Sequence, residues 1–330
     1  MPLPRVVLLS LGGTIAMTAD GCSGVAPRLD SEDLVAAVPE LAEVADVTAQ
    51  SFRRLPGAHL TLGDIGALAG AIAEHCGSGT HGVVVTQGTD TLEETALVLD
   101  LLLAEPRPVV ITGAMRNPTV AGADGPANLL AATQVAASRA ARGLGVLVVA
   151  NATVHAARFV RKAHTQRPDA FVSTPGPLGW ISEGVPRIMA RPVPSPRLPV
   201  SVDGPQRVAL IATALDDDGH ALRSAVAGDS DGIVIEALGG GHVAPALVEP
   251  LGAAASRMPV VLSSRTGAGE VLRGTYDFAG SERDLLARGA IWGGWLDGPK
   301  ARILLTLLLR GGLDRDAIAA AFAAYLAGEG

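Results

Sequence analysis

Residues 82–95 read GVVVTQGTDTLEET, and how that stretch divides decides the fold. Val83–Thr86 is an unbroken β-branched run, which predicts a strand. It does not alternate apolar with polar residues, so both of its faces must be covered, as in the middle of a parallel sheet. Gln87–Asp90 is polar and contains a glycine, which suits a loop. From Leu92 to Ala104 apolar residues recur at helical spacing. Strand, polar loop and helix together make half of a βαβ unit.

The same rhythm extends in both directions. Val6–Ser10, Val109–Thr112 and Val146–Ala150 are further apolar strand candidates, and Ser31–Ala37, Leu62–Cys76 and Pro126–Arg142 are helix candidates. A second series follows, with strands expected at Val208–Thr213, Gly232–Ala237 and Pro259–Ser263. Its helices are expected at Ala246–Ser256, Ser281–Arg288, Lys300–Arg310 and Asp314–Ala327. Between the two series lie Pro192, Pro194, Pro196, Pro199 and Pro205, which block helix and ladder alike. The expected class is α/β: a larger N-terminal parallel-sheet, Rossmann-like domain over 1–187, a linker over 188–207 and a smaller C-terminal α/β domain over 208–330.

Composition narrows the function. At roughly 150 residues per domain, 330 residues make about two domains. Net charge is −7 and aromatic residues are 3%, so no nucleic-acid partner is expected, nor an anionic membrane surface. The apolar run after Arg5 is only about six residues long before Gly12-Gly13, short for a signal segment, and Ile303–Leu309 is far below the roughly 20 residues of a membrane span. The expectation is a cytoplasmic protein. Cys22 and Cys76 read as reduced thiols, and the seven histidines show no metal-type spacing, so no metal is expected.

In open parallel sheets ligands bind at the carboxyl ends of strands. Three polar segments follow predicted strands. Ser10–Ala16, SLGGTIA, has a Gly-Gly turn that exposes Thr14; it reads equally as a tight turn with an idle hydroxyl. In Thr86–Thr95, Thr91 with Glu94 reads as a capping box and Asp90 with Glu93 as a competing one; capping accounts for Thr91, Glu93 and Glu94 but not for why Thr89 and Asp90 both precede the cap at the sheet's carboxyl edge. The third segment holds Lys162, within HAARFVRKAHTQ and expected on a loop. Among the 26 basic residues only Lys162 and Lys300 are lysine; the rest are arginine, which cannot serve as a base. Lys300 suits a structural place at the start of its helix. Two hydroxyls, a carboxylate and a lysine on one sheet edge suit acyl transfer from an amide or ester.

The chain resembles the bacterial-type L-asparaginases and glutaminase-asparaginases over nearly its whole length. LGGTIA (11–16) and TQGTDTLEET (86–95) are similar to the family's two threonine signatures, and TGAMRNP (112–118), ADGPANL (123–129), VRK (160–162), SSRTGAG (263–269) and PKARILL (299–305) follow in family order. The resemblance implies two α/β domains, no cofactor, a small amino-acid amide substrate, and a homodimer or homotetramer with an intersubunit site. It implies Thr14 as the nucleophile that forms an acyl-enzyme, and Thr89, Asp90 and Lys162 as a second triad with Lys162 as base. Asp90 would also hold the substrate ammonium. Backbone N–H groups near Gly13 and Thr89 would hold the oxyanion, Gly88 would belong to the substrate-binding set, the Ala114 carbonyl would accept from the leaving amide, and Ala58 and His59 would occupy the α-carboxylate positions.

Two departures stand out. The segment after the first signature, 17–29, has no tyrosine; the only tyrosines are Tyr276 and Tyr325. Ala58 replaces a hydroxyl residue of the family pattern. These leave open a glutaminase or amidase of other specificity, and a non-catalytic amino-acid-binding protein. Tyr276 and His242 are candidates for reaching a neighbouring subunit's site.

Overall fold

The computed structural model describes residues 2–13, 15, 17–19, 25–27 and 30–327. The chain divides into two units, Met1–Pro194 and Ser195–Gly330.

The first unit contains, in chain order, β1 (Arg5–Ser10), the short hairpin β2 (Met17–Ala19) and β3 (Val25–Pro27), α1 (Ser31–Ala36), α2 (Leu41–Val44), β4 (Asp46–Ser51), α3 (Leu62–Gly77), β5 (Gly82–Thr86), α4 (Leu92–Leu102), β6 (Val109–Thr112), α5 (Gly125–Ala137), β7 (Val146–Ala150), β8 (Thr153–Ala156), β9 (Val160–Lys162), β10 (Phe171–Ser173), β11 (Gly179–Ser182) and β12 (Val185–Ile188). Eight strands form one sheet in the order β12-β11-β8-β7-β6-β5-β1-β4. The five strands from β7 to β4 are mutually parallel, whereas β8, β11 and β12 join antiparallel. The expected parallel sheet is therefore a mixed one. The antiparallel strands are only four residues each, too short for a periodic pattern to mark them.

Two-sided burial explains the apolar central strands. Val6, Leu8, Val84, Val110, Leu147 and Val149 pack with Leu129 and Val135 of α5 and with Leu34 and Leu41 beyond it. On the other side α3 and α4 pack against each other and against the sheet. The helix expected over Pro126–Arg142 ends at Ala137, where Ser138 takes an extended backbone and caps a separate turn over Arg139–Ala141.

Strand order creates the crevice. From β1 the chain passes to β4 on one side, and from β5 it passes to β6 on the other. The carboxyl ends of β1 and β5 thus flank a topological switch point, where loops diverge and leave room for a ligand.

The second unit contains β13 (Val208–Ala212), α6 (His220–Ala227), β14 (Gly232–Ala237), α7 (Pro245–Ala255), β15 (Val260–Ser264), α8 (Glu282–Ala287), β16 (Ile291–Trp292), α9 (Gly298–Arg310) and α10 (Arg315–Ala327). Its four strands run parallel in sequence order. Lys300 is buried at the start of α9, with Nζ 3.3 Å from the capping residue Asp297.

Buried polar groups tie the small hairpin β9–β10 to the main sheet. His155 on β8 is buried, and its Nδ1 lies 2.8 Å from Ser173 Oγ on β10. Burial pushes the imidazole down from 6.5 to about 4. The sign follows by linkage: as pH falls from 6.5 towards 4, the unfolded chain takes up a proton that the folded chain refuses, so stability drops and then levels off. The loss approaches about 3 kcal/mol. His155→Gln, which cannot titrate, is expected to flatten the unfolding free energy against pH across that window. Identical slopes for the two proteins would contradict the assignment.

Candidate active site

Three loops and a turn converge at the carboxyl edge of β4, β1, β5 and β6, and glycines let their backbones touch. Gly12 and Gly13 have φ of +96° and +91°. A Cβ on Gly13 would lie 2.1 Å from the Gly88 nitrogen, and one on Gly57 would lie 3.0 Å from the Gly88 oxygen. A Cβ on Gly113 would stand 2.5 Å from the Gln87 oxygen. Only residues without side chains allow this approach. Leu11 also accepts from Leu55 N and donates to the Thr86 oxygen, each at 2.9 Å, which fixes the first loop to its neighbours.

Thr14 lies outside the described residues, as does Cys22; both neighbours of Thr14, Gly13 and Ile15, are buried. Thr89, Asp90 and Lys162 come together. The Lys162 ammonium donates to Thr89 Oγ1 at 2.9 Å and to Asp90 Oδ1 at 3.1 Å. Thr89 is buried, the Lys162 side chain is 17% exposed, and the Asp90 side chain is 68% exposed. A lysine held between a sheltered hydroxyl and an accessible carboxylate can shuttle a proton at one side and hold a cationic ligand group at the other.

Lys162 arrives from β9 rather than from a loop. Its own main-chain N–H donates to the Glu93 carboxylate in the first turn of α4. The VRK segment is too short for periodicity to reveal a strand. Both expected capping boxes also fail, because no side chain caps α4 at Thr91. The Thr91 hydroxyl instead donates to the Gly57 oxygen at 2.9 Å and accepts from Gln87 Nε2 at 3.1 Å.

Ala114 is buried in the loop after β6. Asp124 shapes that loop by accepting from Met115 N at 3.0 Å and Arg116 N at 2.8 Å. Asn128 donates to the Gly113 oxygen at 3.0 Å and accepts from Asn151 N at 2.9 Å. Sequence reasoning assigned no task to Gln87, Asp124 or Asn128, and read Glu93 as a capping residue where it instead accepts from Lys162 N; ADGPANL was the one available signal for Asp124 and Asn128. Ala58 and His59 are exposed on the Gly57–His59 turn.

His242 and Tyr276 belong to the second unit. His242 Nε2 lies 3.3 Å from Glu282 Oε2, and its ring meets Tyr276 and Phe278 edge-on at 4.8 and 5.2 Å. Burial raises the Glu282 carboxyl, yet amide donations from Tyr276 and Thr275 hold it below the usual carboxylate value. Cys76 is buried, and burial pushes its thiol up to about 12. Among the described residues no three His, Cys, Asp or Glu are grouped to hold a metal ion, and no helix is long and apolar enough to cross a membrane.

Residues 5–194 match the family model described as asparaginase, N-terminal, and residues 207–322 match the glutaminase/asparaginase C-terminal domain. The chain belongs to the asparaginase family. A probable L-asparaginase of Deinococcus radiodurans is 41% identical over 97% of both chains. L-asparaginase 2 of Escherichia coli is 34% identical over 98% of this chain and 94% of its own. Among solved structures, a probable cytoplasmic L-asparaginase from Campylobacter jejuni superposes with a TM-score of 0.88 at 32% identity, covering 98% of this chain and 100% of that one. These asparaginase likenesses run through both units, so the two-domain α/β class holds along the full chain.

Proposed function

We propose that this enzyme hydrolyses L-asparagine to L-aspartate and ammonia through a threonine acyl-enzyme. One observation carries the reading: Lys162 Nζ sits between Thr89 Oγ1 and Asp90 Oδ1 at the switch point, beside the Gly13 loop that leads to Thr14. Kinship with L-asparaginases supplies the substrate class.

In the first step the Thr14 oxygen attacks the side-chain amide carbon. Its proton passes through Thr89 and Lys162 to the departing nitrogen, which leaves as ammonia. Water then attacks the resulting ester, returns a proton to Thr14 and releases aspartate. Lysine suits the relay because, unlike arginine, it can serve as a base. Main-chain N–H groups of the Gly13 and Gly88–Thr89 loops face the developing oxyanion, where preorganised donors count most. The Ala114 carbonyl accepts from the leaving amide, Asp90 holds the substrate ammonium, and the Ala58–His59 turn meets the α-carboxylate. Nucleophile, relay and oxyanion donors all come from the protein, so no cofactor enters the scheme. The working form is read as a cytoplasmic homodimer or homotetramer whose site a neighbouring subunit completes.

The expected result is ammonia release from asparagine with a higher kcat/KM than from glutamine or D-asparagine. A second reading, glutaminase or amidase, draws on Ala58, whose methyl cannot supply the hydrogen bond of a hydroxyl; a reversed order of kcat/KM would select it. Tight aspartate binding without turnover of any amide would overturn both in favour of a binding protein.

A further inference from the structure

The Thr91 hydroxyl has two good partners, and neither belongs to the helix it precedes. Gln87, itself buried, donates Nε2 to it at 3.1 Å, and it donates onward to the Gly57 carbonyl at 2.9 Å. A hydroxyl has one proton to give, so this one is committed to a residue 34 positions away. Turned towards Gln87 and Gly57, its oxygen accepts from no amide of α4, so the helix forgoes a side-chain cap.

The gain lies in the Gly57–His59 turn. Its leading side is fixed where Leu55 N donates to the Leu11 oxygen. Its trailing side is fixed at Thr61, which forms a reciprocal cap with Asp64 at the start of α3. The middle projects Ala58 and His59 outward, and Gly57 is its buried pivot against Gly88. Thr91 is the side chain that grips this pivot. It thereby couples the turn to the loop that carries Thr89 and Asp90.

We propose that Thr91 is a positioning residue for substrate selection: through the Gly57 carbonyl it sets the distance between the turn that meets the α-carboxylate and the Asp90 carboxylate that meets the α-ammonium. This rests on the asparaginase reading of the site. Both substrate groups sit on one carbon, so their two anchors must hold a fixed spacing for either to be used fully.

The test compares Thr91→Val, which keeps shape and deletes the hydroxyl, with Thr91→Ser, which keeps the hydroxyl. Thr91→Val is expected to raise KM for asparagine and the inhibition constant of aspartate about tenfold, the equivalent of one hydrogen bond, with kcat within about twofold. Thr91→Ser is expected to restore both constants to within about twofold of the parent. A helix-cap role predicts the opposite pattern: a lower melting temperature for Thr91→Val with KM unchanged. Unchanged KM, or a fall in kcat that matches the rise in KM, would overturn the proposal. If the parent protein releases no ammonia, the functional reading fails, but aspartate affinity in the three proteins still decides the role of Thr91.

Discussion

Lys162→Arg is expected to lower kcat for ammonia release from asparagine by on the order of 10²-fold or more, in line with the loss of a general base. The substitution is informative because it preserves so much. A guanidinium keeps the positive charge and can still donate to Thr89 and Asp90, and the main-chain N–H that reaches Glu93 is untouched. What disappears is a side chain that can serve as a base. If Lys162 acts only by charge, Lys162→Arg will turn over at the parental rate, and the relay falls with that result. The measurement is steady-state ammonia production, with aspartate binding as the check that the crevice remains formed.

Thr89→Val is expected to cost on the order of 10³-fold in kcat, within the range that positioned proton-transfer groups supply. Valine retains the methyl that packs against Gly113, where a Cβ would lie 3.1 Å from Thr89 Cγ2, and removes only the hydroxyl that accepts from Lys162 at 2.9 Å. The ammonium keeps its bond to Asp90, so the loss in folding free energy is expected to be about 1 kcal/mol. Catalysis and stability should therefore separate. Full activity in Thr89→Val would remove the second triad from the scheme and leave Asp90 and Lys162 as ligand-holding charges.

Much of the fold was legible because burial on two faces leaves a plain trace. Val83–Thr86, Val109–Thr112 and Val146–Ala150 are β-branched or apolar at every position and stand at or within one residue of the observed strands. The edges were not legible. Asp46–Gln50 alternates polar with apolar residues, and Val185–Ile188 is four residues long and holds Pro186; such short spans also fit loops. At the site, the motif around Thr89 and Asp90 and the rarity of lysine led to three side chains that the fold gathers from positions 72 and 73 residues apart. Thr91 was misread for a physical reason: its spacing to Glu94 satisfies a local rule, but a long-range partner, the Gly57 carbonyl, turns the hydroxyl away from the α4 amides. Local patterns cannot weigh such competitors, because the partner is supplied only when distant loops meet.

The contact of Gly13, Gly57 and Gly88 has a consequence for redesign. Where main chains abut without intervening side chains, the spacing of the loops is set by van der Waals contact of the backbones and leaves no side-chain atoms to trim. Selectivity is then open to alteration at the solvent-facing positions 58 and 59, whereas a methyl added at 13 would have to displace the backbone itself. A library confined to the rim should yield enzymes of new preference and undiminished turnover, and one that reaches the hub should yield mostly inactive protein.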